Sequence, residues 1–234
     1  MYNCTKNYID GEWFDSTGGS VGDIINPATE QVIGQVSFGT AEDVNHAVRA
    51  ARSAFEEFSQ WSVDQRLELL NHIVDAFKLR WNDIAAAITA EMGAPAPFSA
   101  RAQTGSGLGH TRAAIAALQE LKLEESIGKS TVIREPVGVC GLITPWNLPV
   151  NQIMCKVAPA LAAGCTMVLK PSEIAPINAT LLAEVFADAN VPAGVFNLVH
   201  GDGPGVGAAM SEHEGIDMMS FTGSTRAGVL VARA

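Results

Sequence analysis

From Gly138 to Phe221 the chain alternates short β-branched runs with helical ones, and that rhythm restricts its fold more than any other feature. Val139–Ile143, Cys165–Leu169, Val195–Val199 and Ile216–Phe221 read as strands. Runs near Val150–Ala163, Asn178–Asn190 and Gly205–Ser211 read as helices between them. Such alternation predicts an α/β fold: an open, Rossmann-like parallel sheet with flanking helices on both faces. Right-handed crossovers then bring every strand's carboxyl end to one edge, outside which ligands bind in sheets of this kind. Three segments leave strands at that edge: Ile143-Thr144-Pro145-Trp146-Asn147-Leu148-Pro149, Leu169-Lys170-Pro171-Ser172-Glu173 and Phe221-Thr222-Gly223-Ser224-Thr225.

The segment ahead of this array is different. Asn7-Tyr8-Ile9 and Glu12-Trp13-Phe14 flank Asp10-Gly11, a pair suited to the positive backbone angles of a tight hairpin. Thr40 with Asp43, and Ser62 with Gln65, resemble capping boxes. The first opens a helix carrying Val44, Ala47, Val48, Ala51, Phe55 and Phe58 on one face. The second opens one long amphipathic helix that runs from Leu67 to Ile88. A third helix is expected over Phe98–Glu125, with Gly105, Gly107 and Gly109 either weakening it or letting another backbone approach. Thr131–Glu135 reads as an exposed strand, free to join a hairpin or a neighbouring subunit. The expected organisation is therefore hairpin and helices over 1–125, a strand segment over 126–137, and β/α units over 138–234.

Composition narrows the function. With 47% hydrophobic residues the 234-residue chain can bury a large core. A formal charge of −10 argues against a nucleic-acid partner, because nothing neutralises phosphates over an extended surface. No run is long and apolar enough for a membrane helix: the longest charge-free stretch, Pro136–Cys155, holds three prolines and two glycines. Cys4, Cys140, Cys155 and Cys165 form no CxxC pair and have no histidine at ligand spacing, so no metal is expected. Met1–Gly11 is polar and lacks an apolar signal core, which together with the cysteine pattern suits a cytoplasmic setting. Elbow, Walker and zincin motifs are absent, and the five histidines are scattered.

Each edge segment has a chemical reading and a plainer one. Lys170 and Glu173 can straddle the two hydroxyls of a ribose, the ammonium donating and the carboxylate accepting; they could equally form a surface ion pair. A carboxylate at 173 would also repel a 2′-phosphate, favouring NAD over NADP. Gly223 and Ser224 sit where a helix starts, suited to a pyrophosphate or to ordinary capping. Gly201-Asp202-Gly203-Pro204-Gly205-Val206-Gly207 misses the dinucleotide fingerprint by one position, because Val206 replaces its last glycine; a flat wall for an adenine ring suits it better. Asn147, held between prolines, can donate to a developing oxyanion or cap the next helix. Lys156, two turns into that helix, fits a solvent-facing role better than a site role.

Taken in order, Asn7-Tyr8-Ile9-Asp10-Gly11-Glu12-Trp13, Ile25-Asn26-Pro27-Ala28-Thr29, Glu135-Pro136-Val137-Gly138-Val139 and the three edge segments resemble the aldehyde dehydrogenase superfamily over nearly the whole chain. That resemblance implies NAD-dependent oxidation of an aldehyde to an acid through a cysteine thiohemiacetal, by a homodimer or homotetramer. It implies that Asn147 forms half of an oxyanion hole and that Lys156 matches a lysine sometimes given a proton-relay role. It places Lys170, Ser172 and Glu173 at the ribose, and Gly203 and Pro204 at the adenine. Phe221, Gly223 and Ser224 fall at the pyrophosphate, with Ile143, Thr144 and Trp146 lining the cofactor cleft. The family's glutamate and nucleophilic cysteine fall beyond Ala234, and none of the four cysteines matches the latter. The expectation is an NAD-binding N-terminal half, with the sheet incomplete at its C-terminal side and no dehydrogenase activity of its own.

Overall fold

The computed structural model describes residues 1–234. Five strands come first: β1 (Tyr2–Cys4), β2 (Lys6–Ile9), β3 (Glu12–Asp15), β4 (Ser20–Ile25) and β5 (Val32–Phe38). Helices α1 (Ala41–Phe58), α2 (Val63–Leu79) and α3 (Trp81–Met92) follow. A short α4 (Ala96–Phe98) and a π-helical turn, Ser99–Gln103, lead into α5 (Thr104–Glu120). Strands β6 (Glu124–Ile127) and β7 (Ser130–Ile133) form a two-stranded antiparallel hairpin. The rest alternates: β8 (Val139–Ile143), α6 (Pro149–Ala163), β9 (Thr166–Lys170), α7 (Ile177–Asp188), β10 (Phe196–Leu198), α8 (Ala208–Ser211), β11 (Met218–Phe221) and α9 (Thr225–Arg233).

The main sheet has six strands in the order β11-β8-β9-β10-β2-β3. β11, β8, β9 and β10 are parallel, as the β-branched runs predict. The N-terminal hairpin extends this sheet rather than standing apart from it. β2 pairs antiparallel with β10, Leu198 opposite Tyr8, so the whole sheet is mixed. Its turn has Asp10 at φ 53° and Gly11 at φ 80°, as the Asp-Gly pair requires.

Chain order across the parallel strands is informative. β8, β9 and β10 step in one direction, and the chain then returns to lay β11 on the other side of β8. The reversal puts helices on both faces. Leu70, Ile73 and Phe77 of α2, with Ile153 and Val157 of α6 and Phe186 of α7, share one apolar cluster with Cys140 and Met167. Val44, Val48 and Ala51 of α1 and Met210 of α8 share a second with Val139, Val168 and Val199. Alternate residues of β8 and β9 thus serve opposite faces, as a two-sided buried sheet demands.

Both capping boxes form as read, Thr40 with Asp43 and Ser62 with Gln65. Two helical expectations need correction. The long helix breaks at Arg80, which leaves helical geometry (φ −97°, ψ 9°). There its guanidinium bonds Asp83 and reaches Glu184 of α7 at 2.6 Å. The third helix ends at Glu120 instead of Glu125, because residues from Glu124 enter the β6–β7 hairpin. Of its three glycines only Gly107 is crowded: a Cβ there would lie 2.4 Å from Val150 of α6, whereas Gly109 meets nothing. A second sheet, β1-β5-β4, has no counterpart in the sequence reading.

One buried carboxylate ties the helical layer together. Glu91, in the last turn of α3 and 1% exposed, accepts from the backbone N–H of Ile177 (2.6 Å) and of Asn178 (2.9 Å), and from the Asn178 amide. It thereby satisfies the start of α7, whose own cap residue, Pro176, offers no side-chain bond. Burial pushes its carboxyl up to about 7 against the pull of those donors. A raised native pKa means the folded state holds this proton more tightly, so the contribution is complete below the ordinary 4.5 and is lost as pH rises through about 7. Glu91→Gln should flatten the dependence of thermal stability on pH across that window. Glu91→Ala should lower stability by about 1–3 kcal/mol in urea titrations.

Candidate functional site

Parallel register assembles the site. Ile143 at the end of β8 lies opposite Lys170 of β9 on one side and Phe221 of β11 on the other. The three edge segments therefore leave the sheet at one level, where strand order reverses, the crevice in which open α/β sheets bind ligands. A cleft of about 530 Å³ opens there. Ile143, Phe221, Ser224, Gly203 and Pro204 line it, five of the residues expected from the sequence.

Each wall has a local cause. Ser224 is the N-cap of α9 and accepts from the Ala227 N–H at 3.2 Å, so its capping role and its place in the cleft coincide. With Ala227 N–H on the Ser224 hydroxyl and Gly228 N–H on the Ser224 carbonyl, the amides of Thr225 and Arg226 are left without a helical acceptor. Gly223 admits no side chain, since a Cβ would sit 2.5 Å from Cζ of Phe221. On the opposite wall Gly203–Gly207 forms a π-helical turn, with Asp202 accepting from Gly205 N–H at 2.7 Å. Val206 points inward and is fully buried in the second core, which explains the broken fingerprint at that position.

Lys170 is not a surface residue. It is 3% exposed, and its ammonium donates to the Gly201 carbonyl at 2.6 Å, to the Pro171 carbonyl at 2.7 Å and to Glu173 at 3.5 Å. All three N–H bonds are used in bracing the loops after β9 and β10. Burial lowers its pKa and Glu173 offsets part of that effect. The plain surface-pair reading does not describe Lys170, which is buried, whereas its partner Glu173 is half-buried. Ser172 is buried, its hydroxyl accepting from Ile174 N–H. Nearby His200 is buried, and burial and the Lys170 charge lower it to about 3, so it stays neutral at neutral pH.

Asn147 does not cap α6. That helix starts after Leu148 with no side-chain cap, and Pro149 fills its first turn, leaving Asn147 exposed beside exposed Trp146; neither residue lines the cleft. Thr144 is buried with its hydroxyl unpaired, one residue beyond the cleft wall. Lys156 overturns the solvent reading. Its stem crosses over β8, and Nζ donates to Ser220 Oγ of β11 at 2.8 Å; desolvation lowers its pKa. Lys156 thus belongs to a second cavity and not to the cleft. Among the cleft-lining residues that the sequence reading missed are Arg226, Ala227, Leu230 and Val231 of α9. Their i, i+1, i+4, i+5 spacing on an amphipathic helix was the available signal.

A chain with this switch-point cleft belongs to a recognisable class of nucleotide-binding α/β proteins. Residues 13–234 match the model of the aldehyde dehydrogenase family, and the chain belongs to that family. It is 58% identical to a 3-succinoylsemialdehyde-pyridine dehydrogenase of a Pseudomonas species, over all of this chain and 49% of that protein. It is 51% identical to a putative aldehyde dehydrogenase of Staphylococcus epidermidis, over 97% of this chain and 48% of that one. Among solved structures, an aldehyde dehydrogenase from Bartonella henselae superposes with TM-score 0.97 at 43% identity, covering 100% of this chain and 50% of that one. Aldehyde dehydrogenase C from Pseudomonas syringae, solved with NAD+ and octanal, gives TM-score 0.97 at 47% identity over 99% and 48%. The chain spans about half the length of the relatives it matches.

Lys170→Met should leave the Gly201 and Pro171 carbonyls without a donor. The expected loss is about 2 kcal/mol in chemical denaturation, with the cleft loops exchanging amide hydrogens faster.

Proposed function

We propose that this chain is the NAD-binding half of an enzyme that oxidises an aldehyde to a carboxylic acid. The observation that carries this reading is the convergence of Ile143, Phe221, Gly203, Pro204 and Ser224 on one cleft at the strand-order reversal. The residues suit a dinucleotide: a side-chain-free Gly223 before a helix start, a flat Gly203-Pro204 wall, and a half-open carboxylate at Glu173. NAD, when bound, supplies the hydride acceptor.

The chain's own contribution is binding and polarisation. The α9 amides and Ser224 hold the pyrophosphate, Glu173 accepts from the ribose hydroxyls, and Lys170 fixes the loop that presents Glu173. Asn147 donates its amide N–H toward the aldehyde oxygen as negative charge develops there, a contribution worth about 3 kcal/mol in comparable sites. Prolines at 145 and 149 limit its movement. No cysteine lines the cleft. On this reading none of Cys4, Cys140, Cys155 and Cys165 is the attacking thiolate, and these 234 residues alone are expected not to turn over aldehyde. Assembly as a dimer or tetramer in a cytoplasmic setting is part of the same proposal, with the exposed β6–β7 hairpin available for subunit contact.

Calorimetric titration tests this directly. NAD should bind with NADP at least about tenfold weaker, and Glu173→Gln should narrow that gap chiefly by improving NADP. Equal affinity for both cofactors in the unaltered protein would contradict the placement of Glu173. Mixing the chain with NAD and an aldehyde panel should give no absorbance of reduced cofactor above background.

A further inference from the structure

On the α6 side of the sheet, a cavity of about 400 Å³ separate from the cleft is walled by α6, β8 and β11. Its lining is mainly apolar, with Val137, Leu142, Ala163 and Met218 among it, and Lys156 is its only basic residue. Every other lysine of the chain is settled in an ordinary way. Lys6 and Lys78 pair with Asp15 and Asp75, and Lys122 and Lys129 are exposed to water. Buried Lys170 spends its protons on two carbonyls and Glu173. Lys156 alone is half-buried with only a neutral partner, the Ser220 hydroxyl at 2.8 Å. No ion pair includes it, and Glu135, the one carboxylate residue on the cavity wall, is exposed and unpaired. Reduced solvation without a counter-ion favours the neutral amine, which is the nucleophilic form.

We propose that Lys156 is a covalent capture site for aliphatic aldehydes, which enter this cavity and form an imine on Nζ. An amine without a counter-ion suits a carbonyl carbon as its electrophile, and the apolar lining favours an alkyl chain over a polar one. The Nζ lone pair attacks the carbonyl carbon; the C=O π pair moves to oxygen, which gains a proton as nitrogen loses one. The carbinolamine then loses its hydroxyl as water together with the remaining nitrogen proton, and a C=N bond forms. Nothing is oxidised or reduced. The imine nitrogen has no proton left to give, so the bond to Ser220 reverses and the hydroxyl becomes the donor. Ser220 precedes Phe221 of the cleft wall, and successive residues of β11 face opposite sides of the sheet. Capture therefore takes place across the sheet from the proposed NAD seat, needs no cofactor, and does not rest on the dehydrogenase reading.

The experiment incubates the native, full-length chain at neutral pH with hexanal and sodium cyanoborohydride, without NAD, and locates hexylated lysines by peptide mass spectrometry over time. Lys156 should acquire the hexyl group at least about tenfold faster than exposed Lys122 and Lys129. Lys170, with its protons all engaged, should stay unmodified. With glyceraldehyde in place of hexanal the preference for Lys156 should fall, because its hydroxyls lose solvation in an apolar cavity. Labelling of Lys156 no faster than of Lys122 and Lys129, or an equal preference with glyceraldehyde, would overturn the proposal. Every readout uses the unaltered protein, so none depends on a variant folding. Because NAD is absent throughout, failure here leaves the cofactor reading untouched, and failure to bind NAD leaves this result standing.

Discussion

Parallel pairing of β8 between β9 and β11 is the constraint on which the rest depends. It sets Ile143 level with Lys170 and Phe221, so three loops distant in sequence begin at one height. A one-residue slip on either side would turn each strand's side chains to the opposite face and bury the wrong set. Fully buried residues on both faces of β8 and β9 make such a slip costly. The cleft is thus a consequence of core packing several residues below it.

Lys170 carries that constraint into the loops. A buried ammonium is costly unless its protons are used, and here all three are, on two carbonyls and one carboxylate. The lysine therefore acts as a brace joining the exits of β9 and β10, and Glu173 inherits the outward-facing role. This division of labour also accounts for neutral His200 beside it, since a second charge in that space would have no partner.

Local chemistry made much of this legible. Asp10-Gly11, the two capping boxes and the four β-branched runs each encode their element within a few residues, and the structure reproduces them. The cleft residues were legible because they directly follow strand ends. Other features depend on partners distant in the chain. Arg80 breaks a continuous apolar stripe because Glu184, on another helix, draws its guanidinium across. Lys156 turns inward because Ser220 stands one strand beyond β8. Tyr2–Cys4, Ser20–Ile25 and Val32–Phe38 show no strict alternation, since several of their side chains stay exposed on one face or both. The capping role that suited Asn147 fell to no side chain, because Pro149 already begins the helix.

The central claim is that the carboxyl edge around Ile143, at the strand-order reversal, seats the cofactor. Hydrogen exchange of the native chain with and without saturating NAD tests it most directly. The account predicts slowed exchange confined to residues 143–148, 170–174, 202–208 and 222–228, with the β6–β7 hairpin unchanged. Protection centred elsewhere, or none at these segments while NAD is bound, would contradict it.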